Sequence, residues 1–258
     1  MTTTTLAIAN QKGGVAKTTT VASLGAALAE LGHKVLLVDL DPQACLTFSL
    51  GIDPEDLEFS VHHVLTKGLA PSEVIIETED GVDLMPATIE LARAEADLLT
   101  RTGREHVIKG AIEDLEEAGI HYDWVLLDCP PSLGVLTVAG LTAADGVLIP
   151  LQCETLSHRG VGQLLDTVHD VRKFTNRKLK VWGVLPTLFD GRTNHSRTVL
   201  ETISETYELD VIEPPIPKTI KFAEAPAAGR SILATNKSNK GAMAYREVAA
   251  NLVKRKKK

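Results

Sequence analysis

Short, continuous apolar runs alternate along the chain with longer segments in which apolar residues recur every three or four positions. Continuous runs are typical of parallel strands that are covered on both faces. Strands are therefore predicted at residues 4–9, 35–38, 82–85, 124–127, 146–149, 181–185 and 211–212. Helical spacing predicts helices over 17–31 and 242–254, and a helical region between Pro86 and about residue 117. This order predicts an α/β fold: a doubly wound, mostly parallel sheet with helices on both faces.

The length and composition of the chain fit one large core. With 258 residues and 44% hydrophobic content, the simplest count is a single domain over residues 1–253. The remaining residues, 254–258, are all basic, and we expect them to form a disordered tail.

The segment between the first predicted strand and helix has the residue types of a phosphate-binding loop. Its backbone N–H groups and the positive end of the helix dipole would converge on one phosphate group. Lys17 would reach the β- and γ-phosphates, and the Thr18 hydroxyl would hold a magnesium ion. The expected nucleotide contacts are Lys12, Gly13, Gly14, Val15, Ala16, Lys17, Thr18 and Thr19.

This loop departs from the regular phosphate-loop pattern at three positions. Gln11 stands where the first glycine would be, and Ala16 replaces the glycine before the lysine. If that position needs an unusual backbone angle, the Ala16 methyl group strains the loop. The extra cation, Lys12, suggests a second contact with phosphate across a subunit boundary.

Acidic residues follow two of the predicted strands. Asp39 and Asp41 follow the second strand, and Asp128 closes the strand at 124–127. Carboxylates at such strand ends position a magnesium ion and its waters beside a phosphate loop. We expect Asp128 to act on magnesium through a water, Asp41 to orient the attacking water, and Asp39 to assist either the metal or the loop.

Other features narrow the class of protein. No Asn-Lys-x-Asp motif follows a late strand, which favours adenine over guanine as the base. Three distant cysteines, without a Cys-x-x-Cys pair, argue against a disulfide framework and for a reducing, cytoplasmic location.

Charge is distributed unevenly along the chain. Residues 1–150 carry 8 basic and 23 acidic residues, whereas residues 151–258 carry 19 basic and 11 acidic residues. The net charge of −7 therefore conceals a basic C-terminal half, which would suit a polyanion such as DNA. Ordinary surface lysines would give the same composition, so this point stays open.

Several ordered blocks resemble the ParA/Soj-like branch of the ParA/MinD ATPases, which are P-loop NTPases with a deviant Walker A loop. The resemblance covers nearly the whole chain and is carried by residues 12–19, 38–43, 84–87, 128–134, 150–154, 189–194 and 216–226. Ala44 and Cys45 stand where relatives often have Gly-Asn, and this difference leaves the identity of the cargo open.

The resemblance implies an ATPase that binds ATP and Mg²⁺ and forms a sandwich dimer. Lys12, Lys17 and Asp41 would be catalytic, Thr18, Asp39 and Asp128 would serve the metal, and Pro217 would contact the nucleotide. The dimer would bind DNA without sequence preference through Arg192, Lys218 and Lys221. A ParB-like partner would stimulate slow hydrolysis during chromosome or plasmid segregation, and the protein would be cytoplasmic and nucleoid-associated, with no membrane partner.

Two other functions are compatible with parts of the sequence. A MinD-like positioning ATPase would need a terminal amphipathic helix with bulky apolar residues for the membrane. Here Met243, Val248 and Leu252 instead suggest a stripe that faces the core. A metabolic enzyme of the same fold, such as a ligase, would need a substrate pocket, and the partition-type motifs favour the DNA-partitioning function.

Overall fold

A seven-stranded sheet forms the centre of the protein in the computed structural model, which describes residues 3–154, 157–191 and 194–256. The strand order is β3-β4-β2-β5-β1-β6-β7. The strands are β1 (Thr4–Ile8), β2 (Val35–Asp39), β3 (Ile76–Glu77), β4 (Asp83–Met85), β5 (Trp124–Asp128), β6 (Gly146–Gln152) and β7 (Lys180–Thr187). All neighbouring strands are parallel except β3 and β4, which are antiparallel. The predicted fold class is confirmed.

Two differences from the predicted strands have local causes. Residues 211–212 contribute only a single parallel bridge, between Val184 and Val211. Pro214 and Pro215 follow at once, and proline has no N–H group with which to extend the pairing. The two-residue strand β3 is too short to leave a pattern in the sequence.

The helices cover both faces of the sheet. Their bounds are α1 (Lys17–Glu30), α2 (Cys45–Ser49), α3 (Val61–Lys67), α4 (Leu91–Leu98), α5 (Val107–Glu117), α6 (Val135–Ala143), α7 (Ser157–Phe174), α8 (Asn194–Tyr207), α9 (Lys221–Glu224), α10 (Ile232–Thr235) and α11 (Lys240–Lys256). The helical region predicted before residue 117 is thus two helices, separated where Gly103 adopts a positive φ of 74°.

Each face of the sheet has its own apolar core because side chains alternate along every strand. In β5, Val125 and Leu127 face the side that packs on α5, α6 and α7. Trp124 and Leu126 face the side that packs on α1 and α11. The Trp124 and Trp182 rings meet edge to face there, with centroids 6.0 Å apart.

The C-terminal helix differs from the prediction at both ends of its sequence. Val248 and Leu252 are buried as predicted, but Met243 is 58% exposed. Helix α11 also continues through Lys254 to Lys256, where a disordered tail was predicted. Contacts with the sheet hold this end: Arg255 pairs with Asp210 at 2.7 Å, and Lys256 donates to the Asp123 carbonyl at 2.9 Å. Residues 257–258 lie outside the described residues.

Candidate functional site

The loop between β1 and α1 lies at the carboxyl ends of the strands and is tied to two of them. The Asn10 amide donates to the Pro150 carbonyl at 2.8 Å and accepts from the Lys12 N–H at 3.0 Å. From β7, the buried Thr187 hydroxyl donates to the Val15 carbonyl at 2.9 Å. These contacts with β6 and β7 fix the loop backbone, so its N–H groups are preorganised for an anion.

Two alanines near this loop adopt the left-handed backbone conformation that favours glycine. Ala16, at the start of α1, has φ 64° and ψ 35°, and Ala44, at the start of α2, has φ 51° and ψ 32°. The strain expected at Ala16 is therefore present. A left-handed residue with a Cβ atom costs roughly 1–2 kcal/mol, so both helix starts carry local strain.

Lys17 enters the protein interior at the first position of α1. Only 7% of the residue is exposed, and its ammonium group donates to the Lys12 carbonyl at 3.3 Å. Burial lowers the pKa of Lys17, whereas the Asp128 and Asp41 carboxylates raise it. A buried cation with one backbone partner has donors to spare for a phosphate oxygen.

Asp39 and Asp128 lie directly opposite each other at the ends of β2 and β5. Both are almost fully buried. Burial, opposed by hydrogen bonds from Thr47 and Asp41, raises the pKa of Asp39 to about 6. Burial and then the charge of Asp39 raise the pKa of Asp128 well above its usual value. Two neighbouring carboxylates in an apolar setting call for a compensating cation.

The two carboxylates differ in their hydrogen bonds. Asp39 Oδ1 accepts from the Asp41 N–H at 3.1 Å, and Oδ2 accepts from the Thr47 N–H at 2.9 Å and the Thr47 hydroxyl at 2.7 Å. The same hydroxyl accepts from the Ala87 N–H at 2.9 Å. These bonds tie Asp39 to the segment that follows β2 and to α2, and none of them reaches the phosphate loop, so the choice between the two expected roles of Asp39 stays a prediction.

Asp128 provides the fit to a divalent cation. Neither of its carboxylate oxygens accepts a hydrogen bond within the described residues, although both are buried. Its pKa also responds to the Thr18 hydroxyl and to Lys17, both of which lower it. Over the described ranges, no group of three or more His, Cys, Asp or Glu residues could hold a metal alone. A magnesium ion here would complete its shell with water and phosphate oxygens, as Mg²⁺ commonly does.

The remaining predicted catalytic residues lie at the rim of the loop. Asp41 is half-buried, and its Oδ1 accepts from the Gln43 N–H at 3.0 Å. Lys12 is tied to its own chain, because its ammonium group pairs with the Glu154 carboxylate at 2.5 Å. Both side chains of that pair are partly exposed, so the contact is open to exchange.

The predicted DNA-binding residues occupy the segment that follows Pro217, the predicted nucleotide contact. Pro217 itself forms a parallel bridge with Phe189. Lys218 is exposed, and the Lys221 ammonium pairs with Glu224 at 2.6 Å. The structure thus brings Pro217, Lys218 and Lys221 to one segment, whereas the predicted Arg192 lies outside the described residues.

Sequence patterns did not mark four residues that hold this site in place: Asn10, Thr47, Glu154 and Thr187. Each follows or precedes a strand end or loop, where a polar residue is ordinary. Only the positions of Asn10 and Thr187 could have indicated a role, because each follows or closes an apolar run at the edge of the sheet where ligands bind. For Thr47 and Glu154 the partner is distant in sequence, and no local pattern marks it.

The described helices include none with the length and apolar character needed to cross a membrane.

Comparisons with known proteins agree with this geometry. A family model described as an AAA domain matches residues 3–181. The sporulation initiation inhibitor protein Soj of Bacillus subtilis (strain 168) is 43% identical over 251 residues, covering 95% of this chain and 98% of Soj. The chromosome partitioning protein ParA of Caulobacter vibrioides (strain NA1000 / CB15N) is 38% identical over 251 residues, covering 97% of this chain and 94% of ParA.

A solved structure is also similar over its full length. It comes from Mycobacterium smegmatis and is named cobyrinic acid a,c-diamide synthase with bound ADP and magnesium. It is 55% identical, with a TM-score of 0.88, and covers 99% of this chain and 96% of that one. A second structure under the same name holds an ATP analogue and magnesium.

Proposed function

The chain belongs to the ParA/Soj-like branch of the P-loop AAA-domain family, and on that premise we propose that it is an ATP-dependent DNA-partitioning ATPase. The observation that carries the proposal is the buried cluster of Lys17, Asp39 and Asp128 beneath a preorganised phosphate loop. Such a cluster is stabilised by an anion on the lysine and a cation on Asp128. ATP with Mg²⁺ would supply both, and the similar M. smegmatis structures hold ADP or an ATP analogue with magnesium.

Each residue has a role in this proposal that its position supports. The loop N–H groups and Lys17 bind the β- and γ-phosphates, and the α1 dipole adds to their field. Thr18 would hold the magnesium ion, and Asp128 would act on it through a water; when bound, the ion would neutralise charge that develops on the phosphates. Asp41, at the rim, orients the attacking water through its Oδ2 atom, while its Oδ1 atom accepts from the Gln43 N–H.

The proposed cycle begins when ATP joins two protomers. Lys12 leaves Glu154 and contacts the phosphates of the partner's nucleotide, so the dimer depends on ATP. The dimer binds DNA without sequence preference through Arg192, Lys218 and Lys221, and it dissociates after hydrolysis that a ParB-like partner stimulates. The protein would then be cytoplasmic and associated with the nucleoid.

One comparison favours a second candidate function, amidation of cobyrinic acid. The similar M. smegmatis structures carry that activity in their name. The Soj and ParA relatives, however, match this chain almost end to end, and they favour the partitioning function.

DNA binding by the purified protein tests the proposal. We would measure it with ATP–Mg, with ADP–Mg and without nucleotide, over a salt titration, beside an assay for amidation of cobyrinic acid. A gain in DNA affinity with ATP is the expected result. Amidation without an ATP-dependent gain in DNA binding would reverse the choice between the two functions.

Two variants divide the proposed cycle into its steps. Lys12→Ala is expected to keep ATP binding but to lose the ATP dimer, measured by size-exclusion light scattering. Arg192→Ala is expected to weaken DNA binding in the ATP state without a change in nucleotide affinity. A full ATP dimer of Lys12→Ala would contradict the role of that lysine in the partner's site.

A further inference from the structure

A basic cleft lies at the edge of the sheet opposite the phosphate loop. Its volume is about 810 Å³, and it is lined by the amino ends of β1 and β7, the residue before β6, and the ends of α7 and α11. Strand β7 spans the distance between the two edges, because Lys180 lines the cleft and Thr187 contacts the phosphate loop. At about 3.3 Å per residue, the two ends of this strand are roughly 23 Å apart.

Six cationic side chains line this basic cleft: Arg172, Arg177, Lys178, Lys180, Arg255 and Lys256. The lining includes one carboxylate, Asp145, whose Oδ2 accepts from the Thr5 N–H at 2.8 Å. The lining thus carries a large excess of positive charge. Part of the basic excess of the C-terminal half is gathered here, on a surface that the predicted DNA-binding residues do not include.

Three of the six cations are held in place by other contacts. Arg172 donates to the Leu179 carbonyl at 2.6 Å, and Arg255 pairs with Asp210 at 2.7 Å. Lys256 donates to the Asp123 carbonyl at 2.9 Å and lies 5.0 Å above the Trp124 ring. These contacts fix the walls of the cleft without any participation of the phosphate loop.

The other three cations, Arg177, Lys178 and Lys180, are exposed and form the rim of the cleft. No carboxylate within the described residues pairs with them. Exposed cations without a carboxylate partner can neutralise the phosphates of a nucleic-acid backbone, which releases the counterions condensed on that backbone. An acidic peptide would instead need partners for its backbone groups, and the rim offers it only charge.

We propose that this basic cleft is a second nucleic-acid contact surface, which binds the phosphate backbone of DNA in every nucleotide state and without sequence preference. The proposal rests on the proposed function for its choice of polyanion. Independence from nucleotide follows from the geometry, since the cleft walls are fixed by contacts about 23 Å from the phosphate loop. Each protomer therefore has its own basal affinity for DNA, and in the ATP dimer the two clefts can bind the same DNA molecule.

Fluorescence anisotropy of a short random-sequence duplex, titrated with the full chain in ADP–Mg over a salt series, tests the cleft. The variant replaces the rim cations: Arg177→Ala, Lys178→Ala and Lys180→Ala together. We expect the slope of log affinity against log salt to fall by about 0.9 for each phosphate that these cations no longer neutralise, or about 2.7 for three phosphates. A matched control, Lys67→Ala with Arg93→Ala and Lys109→Ala, removes the same charge from exposed positions on α3, α4 and α5 and should keep the wild-type slope.

The cleft and the proposed function fail in different ways. A wild-type slope in the rim variant, or no DNA binding by the wild type in ADP, overturns the cleft even if ATP-dependent binding is intact. Displacement of DNA by polyglutamate as effective as that by unlabelled DNA of equal charge would also overturn it, in favour of an acidic protein partner. Light scattering should show the same ATP-dependent dimer for the rim variant and for the wild type. If neither protein formed an ATP dimer, that result would count against the proposed function and not against the cleft.

Discussion

The two edges of the sheet handle charge in opposite ways. At the carboxyl edge, Lys17, Asp39 and Asp128 are buried. Burial lowers the pKa of Lys17 and raises the pKa of both carboxyl groups, so it favours the neutral form of each side chain. At the amino edge, the rim cations of the basic cleft are exposed and hydrated. Buried charges interact strongly at short range, whereas exposed charges act weakly and are screened by salt.

This difference indicates a division of labour. At the carboxyl edge, the proposed ligand is a nucleotide held in one geometry. This edge contains the left-handed backbone of Ala16 and the buried carboxylate oxygens of Asp128. At the amino edge, the proposed ligand is any extended polyanion, and the walls of the cleft are already fixed by contacts within the protein. Substitutions at the first edge should therefore have large effects that salt changes little, and substitutions at the second edge should have small effects that salt abolishes.

The largest effect is expected from Lys17→Ala. This change removes the cation proposed to bind phosphate and leaves Asp128 without the positive charge that lowers its pKa. Truncation of one member of a buried charge pair costs about 2–5 kcal/mol, so ATP affinity should fall at least ~30-fold. Titration with a fluorescent ATP analogue measures it, with Lys12→Ala as the control that keeps binding. If ATP affinity fell only slightly and the difference disappeared at high salt, the two edges of the sheet would not differ in the way proposed.

Asp128→Asn should stabilise the nucleotide-free protein while it impairs magnesium-dependent hydrolysis. Burial penalises the charged form of Asp128, so removal of this charge should raise the free energy of unfolding at neutral pH. Urea denaturation measures the gain. Asp114→Asn, at an exposed position of α5, is the matched control and should change stability little.

The same carboxylates predict the pH dependence of stability. The folded-state pKa of Asp39 is raised from 3.8 to about 6, so the folded protein binds this proton more tightly than the unfolded chain does. Stability of the nucleotide-free protein should consequently fall as pH rises from about 4 to about 6. Denaturation at a series of pH values would show this fall, and a rise over that window would contradict the burial of the Asp39 charge.

Thr47→Val should weaken the support of Asp39. The change removes a hydroxyl that donates to Asp39 and accepts from the Ala87 N–H; it leaves that N–H unsatisfied, whereas Asp39 Oδ2 keeps its bond from the Thr47 N–H. We expect the free energy of unfolding to decrease by about 1–3 kcal/mol. Thr47→Ser, which keeps the hydroxyl, should retain most of the stability, and equal decreases in both variants would point to packing instead.

Ala16→Gly should give a smaller and opposite effect. Glycine relieves left-handed strain of roughly 1–2 kcal/mol but adds about 0.4–1 kcal/mol of unfolded-chain entropy. The net gain in stability is therefore between ~0 and ~1.6 kcal/mol, measurable by thermal denaturation. The control is Ala92→Gly, at an exposed position inside α4. It should decrease stability, because glycine is unfavourable where the backbone is a right-handed helix.

The sheet and the phosphate site could be predicted because their signals are local. Apolar runs marked β1, β2, β5, β6 and β7, and the Gly-Gly and Lys-Thr pairs marked the loop between β1 and α1. The contacts of Thr47 with Asp39 and Glu154 with Lys12 could not be predicted, since each joins an ordinary polar residue to a partner that only the fold brings near. The same reason hid the end of α11: a lysine run looks disordered until Asp210 and the Asp123 carbonyl are placed beside it.

The edge-to-face pair of Trp124 and Trp182 gives the amino edge an intrinsic optical probe. These are the two tryptophans of the chain, Trp182 lines the basic cleft, and the Lys256 ammonium lies over the Trp124 ring. Indole emission responds to nearby charge and to quenchers, so a polyanion bound beside Trp182 would change the tryptophan spectrum of the unlabelled protein. Nucleotide bound at the far edge, well beyond contact with either ring, should leave that spectrum almost unchanged.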